Sequence, residues 1–84
     1  MYALQSITPE RNTIIGVSKN KECLILEAIE NSKEYNLDEI RNPQEIIAKD
    51  LRDRDIVLLS NKRMSQLIYH IGEVPYIENN NKQL

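Results

Sequence analysis

Apolar and polar positions alternate at the start of the chain. Over Tyr2–Thr8, Tyr2, Leu4 and Ser6 fall on one side and Ala3, Gln5 and Ile7 on the other, a period of two that predicts a strand. Pro9–Asn12 predicts a turn, because proline fixes φ and asparagine tolerates unusual φ. Thr13–Ser18 is rich in β-branched residues and predicts a second strand, in which Gly16 marks a bulge or a close approach. Lys19 and Asn20 then read as a hairpin loop. Lys21–Glu30 fits two patterns. As a strand it places Cys23, Ile25, Glu27 and Ile29 on one face and Leu24, Leu26 and Ala28 on the other; as a helix it groups Leu24, Ile25, Ala28 and Ile29. Helix propensity favours the second pattern. The short preceding loop and the marginal stability of a lone hairpin favour the first, and a third strand is the expectation. Asn31–Tyr35 reads as a turn and Leu37–Ile40 as one short helical turn.

The segment NPQEIIAKDL is a helix start. Asn42 can accept a bond from an orphan N–H, Pro43 loses nothing at the first helical position, and Glu45 can reach back to the cap. Ile47 and Leu51 share a face, and the helix is expected to end near Asp53. Asp55–Ser60 contains the run IVLL, suited to a buried strand. Ser60 or Asn61 can cap a second helix, whose stripe is Met64, Leu67, Ile68 and Ile71 at i, i+3, i+4 and i+7. Gly72 would end that helix in a left-handed conformation, and Val74–Ile77 would form a short edge strand limited by Pro75. The expected fold is α+β: a small, mostly antiparallel sheet in the order β-β-β-α-β-α, with two short helices on one face. Residues 1–77 would form one domain and 78–84 a frayed polar tail. Strand three would carry apolar side chains in both directions, and a chain this small cannot easily cover both sheet faces. That points to a homodimer or another protein partner.

Composition narrows the function classes. The 84 residues are 40% hydrophobic and 29% charged, with twelve Ile, nine Leu and no Trp or Phe, so the core must be aliphatic. Eleven basic and thirteen acidic residues give a net charge of −2, and neither half of the chain is a basic domain, which argues against a wide phosphate-tracking surface. The single cysteine, Cys23, makes no internal disulfide and no cysteine-based zinc site alone. The first residues lack the basic start and apolar run of a signal peptide, and no apolar stretch approaches the length of a membrane span. A cytoplasmic protein without membrane association is expected. Nine Asn beside twelve Ile and six Lys is a skew of the kind AT-rich genomes produce, including those of phages and mobile elements.

Candidate chemistry is sparse. Asp50, Asp53 and Asp55 interleave with Arg52 and Arg54, which can neutralise them; the calcium-loop pattern is missing its glycine, and no metal is expected. His70 is the only histidine and has no Cys or Ser at a catalytic spacing. With glycine only at positions 16 and 72 there is no phosphate-cradling loop, so no nucleotide cofactor is expected. Lys62 and Arg63 fall in the first turn of the expected last helix, where the dipole prefers acids, and with Gln66 could meet an anionic partner. The candidate binding surface is therefore Arg52, Arg54, Lys62, Arg63, Gln66, Tyr69 and His70. The leading expectation is a small regulatory or inhibitory protein that acts by protein–protein binding without catalysis. The alternative is a small nucleic-acid-binding regulator using the basic start of the last helix. A small nuclease using His70 with Arg52 or Arg54 is a third reading.

Overall fold

The computed structural model describes residues 1–60 and 66–75. Among the described residues, four strands and two helices follow one another in the order β-β-α-α-β-β: β1 (Tyr2–Ile7), β2 (Asn12–Ser18), α1 (Lys21–Ser32), α2 (Pro43–Arg54), β3 (Ile56–Leu59) and β4 (Leu67–Glu73). The strands form one antiparallel sheet in the order β2-β1-β4-β3. The class is α+β, as expected, but two elements differ in type from the sequence reading.

Lys21–Glu30 is helical, not a strand. Asn20, expected in a hairpin loop, is the N-cap: its side chain accepts from the Glu22 N–H at 2.9 Å. The buried residues of α1 are Leu24, Ile25, Ala28 and Ser32, a helical spacing, so Cys23, Leu26, Glu27 and Glu30 face water. Capping and the propensities of Leu, Glu and Ala act together and outweigh the need for a third strand.

Leu67–Ile71 is a strand, not the end of a helix. Alternation decides it: Leu67, Tyr69 and Ile71 are buried, while Ile68 and His70 point the other way. The run IVLL supplies the antiparallel partner, with Val57 opposite Tyr69 and Leu59 opposite Leu67, and β1 pairs along the other side from Tyr2–Glu73 to Ile7–Ile68. A strand hydrogen-bonded on both sides gains more than a short helix packed on one. Gly72 consequently has no helix to end and lies in β4 opposite Ala3. Met64, expected in the apolar stripe, is outside the described residues.

Smaller expectations divide. The Pro9–Asn12 turn is present, closed by the Thr8 N–H to the Arg11 carbonyl at 2.8 Å. The pairing of β1 with β2 shifts between Leu4 and Gln5, so that Leu4 faces Gly16 and Gln5 faces Ile14; Ile15 is the extra residue of a bulge. At Gly16 a Cβ would lie 3.0 Å from the Leu24 Cδ2, so the bulge is also a place where α1 packs tightly against the sheet. Asn42 does not cap α2 with its side chain; it sits at φ 51° in the left-handed region, with Pro43 beginning the helix. Leu37–Ile40 is a single turn closed by the Ile40 N–H to the Leu37 carbonyl at 2.9 Å, without a helix. Val74 is not in a strand, although its N–H reaches the Met1 carbonyl at 2.8 Å. Tyr76, Ile77 and the expected tail 78–84 lie outside the described residues.

Both helices lie on the same side of the sheet, α1 over β1 and β2 and α2 over β3. The core between the layers contains Leu4, Ile25, Ile47, Leu51, Val57, Leu67 and Tyr69, all fully buried. No helix among the described residues is long and apolar enough to cross a membrane.

Candidate interface on the uncovered sheet face

Strand geometry sends successive side chains to opposite faces, so the residues that do not meet the helices can be read off the register. On β1 they are Ala3, Gln5 and Ile7; on β4, their partners Gly72, His70 and Ile68. On the edge strand β2 they are Val17 and Ile14, opposite Ala3 and Gln5, followed by Asn12. On the other edge strand, β3, they are Ile56 and Leu58, opposite His70 and Ile68. No element of the described chain covers this face. Ile14, Val17 and Leu58 are 61%, 55% and 55% exposed, and Ile7, Ile56 and Ile68 are half-buried by their neighbours alone.

The polar content of the face is concentrated at its middle. Gln5 and His70 sit opposite each other on the two central strands, with the His70 Nδ1 3.4 Å from the Gln5 Oε1. None of the face residues just named is Asp, Glu, Lys or Arg, in a chain that is 29% charged. An antiparallel sheet with one solvated face ordinarily carries polar residues there, and contiguous apolar patches larger than a few hundred Å² mark interaction sites.

On the helical side several of the charges are paired. Arg52 makes a two-pronged contact with Glu22, its Nε and Nη2 each donating at 2.9 Å, which ties the end of α2 to the start of α1. That hydrogen bond holds the Glu22 carboxyl below the usual carboxylate range and raises Arg52. Arg54 Nη2 donates to Asp50 at 3.1 Å, Lys49 to Asp53 at 2.9 Å, and Lys21 pairs with Asp55. The bond from Lys49 lowers Asp53 and raises Lys49 in turn. The three aspartates that suggested a cation site thus each face a base, and among the described residues no three Asp, Glu, His or Cys side chains gather as metal ligands.

The residues expected to form one binding surface are dispersed. Arg52 and Arg54 belong to the paired helical side, His70 to the opposite face of the sheet, and Gln66 is exposed just before β4. Lys62 and Arg63 are outside the described residues. Tyr69 is a correction: it is fully buried, because alternation in β4 turns it toward the helices. Its hydroxyl donates to the Asn31 Oδ1 at 2.6 Å, and burial, with smaller contributions from Tyr35 and Glu34, pushes its pKa well up. Sequence reasoning did not single out Ile14, Val17, Ile56, Leu58 and Ile68 as a surface. Their alternation was visible only in part, since the mistaken helix removed Ile68 from any sheet.

Two of the clefts formed by the described residues open on the helical side. One of about 230 Å³ is lined by polar groups of the β1–β2 turn and the end of α1, including Thr8, Arg11 and Glu34. The other, about 450 Å³, lies between Tyr35, Leu37, Ile40 and Pro43 in the connection between the helices. Compared with protein-family models, with curated proteins and with solved structures, the chain matches none of them.

Proposed function

We propose that this chain is a small regulatory or inhibitory protein that acts by binding another protein surface, without catalysis, and that the uncovered sheet face is where it binds. One observation carries the reading: a four-stranded sheet presents Ile, Val and Leu to water with no formal charge among them, while Glu22, Asp50, Asp53 and Asp55 on the helical side each pair with a base. Protein interfaces are depleted of charge at their centre, and this face carries no Asp, Glu, Lys or Arg.

Binding of nucleic acid through Lys62, Arg63 and Gln66 is the rival. It gains little support from Arg52 and Arg54, whose guanidiniums are committed to Glu22 and Asp50. Phosphate binding is salt-dependent, whereas burial of an apolar face is not weakened by salt. Native copurification of the wild-type chain and of Leu58→Lys at low and high salt separates the readings. A complex that survives high salt and is lost in Leu58→Lys is the expected result. Retention on heparin that collapses with salt and is unchanged in Leu58→Lys, but lost when Lys62 and Arg63 are replaced, would overturn it.

A further inference from the structure

We infer that the occupant of the uncovered face is a second copy of this chain, packed sheet against sheet about a two-fold axis between them, an inference that rests on reading that face as an interface. Symmetry is the first reason. Gln5 and His70 lie on the two central strands and form the fourth of six register pairs between β1 and β4, so they mark the middle of the face in both directions. A two-fold axis between the sheets, along the strands or across them, carries that middle onto itself. It sets the Gln5–His70 pair against the partner's Gln5 and His70, and the apolar edges against apolar edges. A face polar at its centre and apolar at its margins is complementary to its own copy, which is what an isologous interface requires.

Area is the second reason. Strands spaced about 4.8 Å apart, three paired over six residues of about 3.4 Å each and β3 over four, make a face of about 360 Å² in projection. Side-chain relief raises the accessible area above the projection, so two such faces remove on the order of 1,000 Å² from water. That reaches the lower bound for a specific interface. Sheets packed in this way stand about 10 Å apart with their inner side chains interdigitated.

Sedimentation equilibrium of the chain at about 100 μM, a concentration suited to an interface of small area, tests the proposal. The expected mass at pH 7.5 is twice 9.8 kDa, or 19.6 kDa. Leu58→Lys and Ile14→Lys, on opposite edges of the face, should each return it to 9.8 kDa with unchanged far-UV circular dichroism. Leu26→Lys, an equally exposed apolar residue on the outer side of α1, should leave the dimer intact. A mass of 9.8 kDa for the wild type, or a dimer indifferent to both face variants, overturns the proposal. In the monomeric case a salt-resistant complex with a different protein, lost in Leu58→Lys, would leave the binding reading standing. The absence of such a complex would remove both.

Discussion

Replacing Tyr69 by Phe removes one oxygen from the centre of the fold and nothing else. The ring is fully buried between β4 and the helices, and its hydroxyl donates to the Asn31 Oδ1 at 2.6 Å. This bond joins a central strand to the last turns of α1 across 38 residues of sequence. A buried neutral hydrogen bond contributes about 1 kcal/mol net. Phe keeps the packing, and Asn31 is half-buried, so water can satisfy its freed oxygen. The expected loss is about 0.5–1.5 kcal/mol, or a fall in Tm of roughly 4–8 °C per kcal/mol for a domain of this size. Asn31→Ala should cost more, about 1–3 kcal/mol, because it leaves a buried phenol without an acceptor. The double variant should then be little worse than Asn31→Ala alone, the mark of one shared interaction.

Tyr69 also predicts the alkaline limb. Burial raises its folded pKa above that of the unfolded chain, near 10. The folded state therefore keeps a proton that the unfolded state gives up. The contribution is fully present below about pH 10 and is lost as the pH climbs beyond it. Thermal unfolding from pH 8 to 11, followed by circular dichroism, should show a steep loss in the wild type and a shallower one in Tyr69→Phe. Equal Tm values at pH 8 together with parallel alkaline limbs would refute both the hydrogen bond and the burial assigned to this ring.

Three further substitutions test other parts of the fold. Leu67→Ala, at a fully buried site, should cost about 2–5 kcal/mol and lower the urea midpoint sharply, while Gln66→Ala, exposed next to it, should stay within about 0.5 kcal/mol. Asn42→Gly should be nearly neutral in urea unfolding and Asn42→Ala should cost about 1 kcal/mol, since the position is left-handed and its side chain makes no capping bond; the reverse order would restore a side-chain cap. The lowered Glu22 pKa places its contribution above the unfolded carboxylate pKa, to be lost as the pH falls through the folded value. Arg52→Ala should therefore flatten the acid limb of a pH–Tm profile at low salt, and 1 M salt should erase the difference because both groups are exposed.

Which elements were legible follows from where each one is buried. The first hairpin and α2 were readable because local signals agree with their environment: period-two alternation in Tyr2–Ile7, a turn at Pro9, and proline opening a helix with Ile47 and Leu51 inside. Gly16 was readable as a bulge and a close approach because no other residue offers so little bulk there. Leu67–Ile71 was misread because it is central and apolar on both faces. In a run where Leu, Ile, Tyr and Ile occupy positions 67, 68, 69 and 71, a helical stripe and a two-sided strand share the same residues. Only the pairing with IVLL, a non-local fact, distinguishes them. Lys21–Glu30 failed for the opposite reason: its local propensity was right, and an assumption about sheet size overrode it.

The exposed sheet face was expected for a reason the structure removes, yet it is present. The expectation rested on a strand at Lys21–Glu30 with apolar atoms on both sides. That segment is α1, and it covers only the face that α2 also covers, because Leu24, Ile25 and Ala28 enter the same core as Ile47 and Leu51. Two helices of twelve residues each suffice for one side of four short strands and leave nothing among the described residues for the other. The sequence difference between the two layers then acquires a meaning. Exposed positions of the helices carry Glu22, Lys49, Arg52 and Asp53 in pairs, whereas the strands' outward positions carry Ile14, Val17 and Leu58. A sheet that simply faced water would be safer with lysine or threonine at those positions, since apolar strands on an open sheet invite association. A central Gln5–His70 pair costs little in water. Between two sheets, in the pairing proposed above, it would penalise a slip that sets the imidazole against Ile14 or Leu58, and so would select one register of association over the others.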